Sequence, residues 1–241
     1  MSLAGRGAVA IWHDIAPEGR AEFYAWHGEQ HMPERAGVPG FLRGRRYVAQ
    51  QGTPEFFNLY ETTSPAVLSG ADYLQRLNHP TPWTVATVRH FRNVARSLCA
   101  VAATHGDGDG GLMATFRYAL DARAGEAHRR RISPLLAGLA REPGVAGVHL
   151  LVADEAASAI ETAERKARAA GTDIPGWIVL VEGWGDGEPF AQRCARLAGD
   201  DLFREAQPGI AWALYRLQNT RMMPGIPSSG TTTAPDRTTR E

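Results

Sequence analysis

The sequence predicts an α+β chain of two tandem βαββαβ units that cover each other inside one polypeptide. Three observations carry this. Residues 7–40 and 111–144 align without a gap at a constant shift of 104, which brings Gly7 onto Gly111, Trp12 onto Phe116 and Val38-Pro39-Gly40 onto Glu142-Pro143-Gly144. A later shift of about 120 brings Arg76-Leu77 onto Arg196-Leu197, Trp83 onto Phe203 and Arg96 onto Arg216. Each half also runs through the same order of strand-period and helix-period segments.

In the first half, residues 8–15 (AVAIWHDI) are apolar and β-prone, and the stretch after Pro17 is helix-like through about Met32, where Pro33 disfavours continuation. Val38-Pro39-Gly40 is a turn, and residues 41–50 and 55–62 alternate as strands. Ser64 with Pro65 reads as the start of a helix through about Asn78; residues 80–84 break it, and a last strand is expected over 94–103. The second half repeats this with strand 111–120, helix 124–141, strands 146–153 and 177–184, helix 187–198 and strand 210–218. The change of shift is absorbed by residues 156–171, whose Ala, Glu, Arg and Lys content reads as an inserted surface helix.

The expected organisation is thus a motif-bearing unit over 1–104, a flexible Gly-Asp linker over 105–110, a degenerate unit over 111–222, and a Ser/Thr/Pro/Gly-rich tail over 223–241 expected to be disordered. The order βαββαβ is the ferredoxin-like unit. Its sheet carries helices on one face only, so the other apolar face needs a cover. Two such sheets in one chain supply it, as an intramolecular dimeric α/β barrel. The chain is expected to be a monomer with an internal pseudo-dimer, or a homodimer.

Bulk properties exclude several classes. The formal net charge is zero over 241 residues, which disfavours a broad basic face for nucleic acid. Cys99 and Cys194 stand in no metal-like spacing and suit a reducing compartment. No apolar run approaches the ~20 residues that span a bilayer, and Gly5, Arg6 and Gly7 interrupt any leader-like segment. A cytoplasmic protein acting on a small molecule, without membrane or nucleic-acid partners, is the expectation. No phosphate-binding loop, dinucleotide fingerprint or nucleophile elbow occurs. Asp107-Gly108-Asp109-Gly110 lacks the later Glu of a calcium loop.

Residues suited to chemistry concentrate in the first half. Phe23, His27 and His31 recur every four residues and share one helix face, with Trp26 alongside. Glu34 follows His31 by three, within reach to orient its ring as a general base. At the shift of 104 the positions of His13, His27, His31 and Glu34 are Arg117, Arg131, Leu135 and Gly138 in the second half, so imidazoles on an inward helix face are expected in the first half alone. Trp12 and His13 lie on opposite faces of the first strand, and one of them points to the helices. Arg46 sits where the second half has buried apolar residues, so it needs an anionic partner: Glu61, Glu34 or a bound substrate. Asn58 and Tyr60 share a face of the third strand. Asn78 and Trp83 flank a rigid Pro-rich connection, with Trp83 as lid or core plug. A structural role for each histidine, and metal binding by the His27/His31 pair, are the competing readings; the latter lacks a third ligand.

The segments HMPERAGVPGFLRGRRY, FNLYE, YLQRLNHPTPWT and HFRNVARS resemble an EthD-like group of dimeric α/β-barrel proteins, over about residues 7–98. Gln30 stands where Glu is usual before the histidine. The resemblance marks His31, Glu34, Arg35, Arg46, Tyr60, Asn78 and Trp83 as family-like positions, and implies fold better than reaction. The expected function is cofactor-independent acid/base chemistry on an aromatic or carbonyl compound: isomerisation, dehydration, decarboxylation or cyclisation. His31, Glu34, Arg46 and Tyr60 would be catalytic, and Trp12, His13, Phe23, His27, Asn58, Asn78 and Trp83 would bind substrate. The alternatives are a cofactor-free monooxygenase, a haem protein using His27 or His31 as axial ligand, and a non-catalytic binding protein. No cofactor is expected under the first reading. Truncation after Met223 is expected to leave the melting temperature within about 2 °C, because the tail has little apolar area to bury; differential scanning calorimetry checks this.

Overall fold

The computed structural model describes residues 3–168, 171–198, 201–207 and 209–223; the tail expected to be disordered lies, apart from Met223, outside them. Strand β1 (Gly7–Ile15) leads through a short 3-10 turn into a helical run. That run comprises α1 (Arg20–Trp26), a π-helical turn (His27–His31) and α2 (Met32–Ala36). Strands β2 (Phe41–Gln51) and β3 (Phe56–Thr62) follow, then α3 (Ala71–Asn78), α4 (Pro82–Val88) and β4 (Phe91–Gly106). The second half supplies β5 (Leu112–Tyr118), α5 (Gly125–Leu139) and β6 (Val145–Ala153). After it come α6 (Glu155–Ala159), α7 (Ala163–Lys166), β7 (Thr172–Asp173), β8 (Trp177–Gly183), α8 (Gly187–Ala198) and β9 (Ala211–Met222).

Within each unit the strand order is that of a ferredoxin-like sheet, β4-β1-β3-β2 and β9-β5-β8-β6. The units join edge to edge through antiparallel β2–β9 and β4–β6 pairs. With β1–β4 pairing, eight antiparallel strands close into a barrel, so no edge of either sheet is left to solvent. The small β7 adds a two-residue parallel pair on β4. Alternation then sorts the side chains. Trp12, Tyr47, Phe57, Leu59, Met113, Leu151, Ile178, Leu180 and Tyr215 fill the barrel. The opposite faces pack on the helices, as two clusters in the first unit and one in the second.

Several expectations need correction. The helical run continues through Pro33 to Ala36. The wide π-turn precedes Pro33 and places it in the first turn of α2, where its missing N–H breaks no ladder. Residues 82–88 form a helix, α4, because Thr81 caps it by accepting from Thr84 N (3.1 Å) and Pro82 presets its first turn. The presumed flexible linker is partly strand: His105 and Gly106 pair with β6, and Asp109 accepts from Arg43 (2.6 Å). The presumed surface helix over 156–171 is two short helices, α6 and α7, and its Glu164 is buried.

The ungapped shift of 104 also fails locally. Trp12 faces the barrel, whereas Phe116 faces the helices of the second unit. Contacts define the true register: His13 meets Phe23 as Tyr118 meets His128, a shift of 105. From Gly40 and Gly144, both at positive φ, the shift is 104 again. Phe23, His27 and His31 match the buried stripe His128, Ile132 and Leu136 at this shift of 105, so the one extra residue of the first half falls between His31 and Gly40. His31 therefore corresponds to the buried Leu136, and Leu135 is 44% exposed. Leu136→Ala is expected to cost about 2–5 kcal/mol, and Leu135→Ala to stay within about 0.5 kcal/mol; urea unfolding of both variants checks this register.

Candidate active site

On the helix face of the first sheet, the π-turn brings His27 and His31 over β3, with ring centroids 5.4 Å apart. Gly44 of β2 lies under Tyr60, where a Cβ would come within 2.9 Å of the Tyr60 ring, so only glycine lets this ring lie flat on the sheet. A small cavity of ≈ 20 Å³ is lined by Ile11, Trp26, His27, His31, Asn58, Tyr60, Val88, Phe91, Glu164 and Arg168. This is room for about one water molecule.

The hydrogen bonds assign proton positions. Arg46 Nη1 lies 3.3 Å from His27 Nδ1, and a guanidinium can only donate, so Nδ1 is the acceptor. Neutral His27 then carries its hydrogen on Nε2 and donates it to the Tyr60 hydroxyl oxygen, 3.2 Å away. That leaves the Tyr60 O–H free to donate into the cavity. In the next layer, His13 Nε2 accepts from Asn58 Nδ2 (3.0 Å), while His13 Nδ1 is 3.4 Å from the Asp14 carbonyl. Asn58 Oδ1 and His31 Nδ1 are buried and have no partner among the described residues. The lining thus presents a free donor, a free acceptor and an imidazole nitrogen that can serve as either.

Electrostatics hold these rings neutral. Burial, then the neighbouring His31 and Arg46, push the His27 pKa well below its ordinary value. Burial, then Arg35 and Arg168, do the same to His31. His13 is lowered to about 3, chiefly by burial. Burial raises the Tyr60 phenol, so its proton stays on at neutral pH.

The predicted residues divide into three groups. His27, His31, Asn58 and Tyr60 line the cavity, and His13, Phe23 and Arg46 stand directly behind it. Trp12, Asn78, Trp83 and Glu34 are not on its lining. Trp12 points into the barrel and donates to Thr115 Oγ1 (3.1 Å). Exposed Asn78 accepts from Ala163 N (3.2 Å), and Trp83 donates to Glu22 at the α1–α4 seam. Glu34 accepts from Gln30 (2.9 Å) instead of orienting His31, since the π-turn rotates it off the ring's side. Arg46 has no carboxylate within salt-bridge distance among the described residues; it donates to Gln218 (2.8 Å) and lies over the Tyr24 ring. Glu61, one candidate partner, faces the barrel and binds Arg43 and Arg45.

Sequence reasoning missed Glu164 and Arg168, which reach this wall from the second unit. Their spacing of four is also that of an exposed helix pair, so the pattern did not separate the two cases. It also missed His128, which lies on the inward face of α5 between the Tyr118 hydroxyl and Glu205 (both 2.8 Å). Both its ring nitrogens are satisfied.

No family model and no curated protein matches this chain. Solved structures do. An anthrone oxidase-like protein superposes with TM-score 0.61 at 11% identity, covering 96% of this chain and 99% of its own. A monooxygenase candidate of Fusobacterium nucleatum gives TM-score 0.55 at 9% identity, covering 91% and 96%. A further monooxygenase candidate, of Lactobacillus acidophilus, gives 0.52 at 10%, covering 90% and 97%. At such identities these likenesses establish the fold. It is the ferredoxin-like dimeric α/β barrel.

Because His13, His27 and His31 bind protons more weakly folded than unfolded, the unfolded chain takes up more protons on acidification. Stability is therefore full above about pH 6.5 and falls as the pH drops below it. Each histidine still neutral at pH 5 contributes up to about 2 kcal/mol to that loss. Urea unfolding at pH 7.5 and 5 is expected to show the drop; equal stability at both would contradict the neutral-imidazole assignment.

Proposed function

We propose that the chain is a small-molecule enzyme that moves protons at the His31 cavity without a resident redox cofactor. The observation that carries this reading is the pair of unpartnered buried atoms, His31 Nδ1 and Asn58 Oδ1, on the lining that also holds the free Tyr60 O–H. Buried polar atoms are normally satisfied, and two unpartnered ones beside a hydroxyl with a hydrogen to spare call for a ligand with matching groups. His31 is the base, since a neutral ring is in the form that accepts a proton. Tyr60 donates to the oxygen on which negative charge develops, and the Arg46–His27 pair behind it stabilises that charge through the hydrogen-bond chain. Asn58 orients the ligand through its free carbonyl oxygen. A compact aromatic or carbonyl substrate exceeds the closed cavity, so entry requires the 155–168 segment to move; it holds the wall through Glu164 and Arg168.

The residues do not fit haem. Both nitrogens of His27 are engaged, and a macrocycle would need a far wider opening of the 155–168 segment than a single ring does. Cofactor-free oxygenation would begin with the same proton removal, and oxygen uptake on the same substrates distinguishes it. The EthD-like resemblance of the His31–Arg46 segment agrees with placing function in the first unit.

The test is hydrogen–deuterium exchange at the acidic C–H of a set of β-dicarbonyl and hydroxyaryl ketones, followed by NMR in deuterated buffer. The protein is expected to accelerate exchange, and His31→Gln to reduce the rate roughly 10²–10⁴-fold with unchanged circular dichroism. Undiminished exchange in folded His31→Gln overturns the assignment.

A further inference from the structure

The wall around Glu164 is out of balance. Arg35, Arg46, Arg96 and Arg168 all lie on the helix side of the first sheet, each at least nine-tenths buried by residue or side chain. Glu164 is the one carboxylate paired with any of them among the described residues. It bonds Arg35, and Arg168 Nη2 at 3.2 Å. Among the described residues, the Arg96 side chain donates to the Tyr73 hydroxyl (3.0 Å) alone, and Arg46 to neutral groups alone. Three guanidinium groups, Arg35, Arg96 and Arg168, thus act on one carboxylate, with Arg46 a fourth buried cation on the same side of the sheet, in a region where unpaired charge is costly.

Two further observations point to where a second anion belongs. Arg168 lines the His31 cavity, and its Nε is buried without a partner although its side chain is only 5% exposed. The same cavity has an apolar side formed by Ile11, Trp26, Val88 and Phe91. Burial lowers the pKa of both Arg168 and Arg46, as expected of cations whose compensation is incomplete.

We propose that the cavity takes a compact carboxylic acid with a flat apolar body. Its carboxylate accepts from Arg168 Nε beside Glu164, and the body lies against Trp26 and Phe91. The 155–168 segment moves to admit the acid and recloses on it, with Glu164 again bridging Arg35 and Arg168 beside the bound carboxylate. The acid is therefore recognised by a residue of the second unit, whereas the proton-moving groups belong to the first. This deepens the reading above and rests on it for the location of the site, but not for its chemistry.

The test uses calorimetric titration of the full chain with benzoate, salicylate and phenylacetate against benzamide, salicylamide and phenylacetamide. At least one carboxylate is expected to bind ten-fold or more tightly than its amide. Arg168→Gln is expected to weaken that carboxylate roughly ten-fold or more, as for loss of a buried charge-assisted hydrogen bond, and to leave the amide within about two-fold, a margin well inside one such bond. Should Arg168→Gln not fold, Arg168→Lys retains the charge without the Nε donor and is expected to bind the carboxylate more weakly than the parent chain. Binding of no carboxylate, equal binding of the amides, or unchanged affinity in the folded variant overturns the proposal. Carboxylate selectivity without any C–H exchange would sink the proton-transfer reading alone. Exchange on neutral ketones without carboxylate selectivity would sink this one alone.

Discussion

Arg45 organises the molecule from inside. Its side chain lies within the barrel, bidentate to Glu182 at 2.9 and 3.0 Å and bonded to Glu61 at 3.0 Å. One carboxylate comes from each unit, at equivalent positions of β3 and β8. Arg43, His149 and the Gly110 amide satisfy the remaining carboxylate oxygens. A buried ion group of this kind adds little net stability relative to apolar packing, yet removing one member leaves a charge stranded. Its value is register. A one-residue slip of β2 would send Arg43 and Arg45 out to the helices and Arg46 in. Correct pairing of β2 therefore places Gly44 under Tyr60 and Arg46 behind His27, and the site follows from that parity.

The π-turn is the second determinant. The second unit carries its buried stripe on a regular α-helix, α5, and has one residue fewer between Leu136 and Gly144 than the first unit has between His31 and Gly40. Within the π-turn His31 lies against Trp26 (ring centroids 4.3 Å apart), and Glu34 bonds Gln30. Position for position, the stripe of His128, Ile132 and Leu136 in α5 is Phe23, His27 and His31 in the first unit, and the two imidazoles line a cavity beside Asn58 and Tyr60.

Strand order, the barrel and the helix face of His27 and His31 were legible because each has a short period that burial enforces. The common face of Asn58 and Tyr60 was legible for the same reason. The orientation of Trp12 was not, because both faces of β1 are buried and its alternation carries no polar side to read. Glu34 misled because reach was judged on a regular helix. Glu164 and Arg168 were hidden because charge normally marks solvent, and only tertiary packing shows a charged segment turned inward. Arg96 was noticed in sequence but had no evident neighbour; its proximity to Glu164 arises across more than sixty residues.

The segment from Glu155 to Arg168 leaves the second unit after β6 and covers the first unit's cavity, while the equivalent face of the second unit is packed around His128 and Glu205. In an assembly of two identical subunits the same arm would close two equivalent chambers. In this chain the two halves differ: the segment from Glu155 to Arg168 closes a cavity in the first unit, and the wall it completes is built from both halves of one polypeptide.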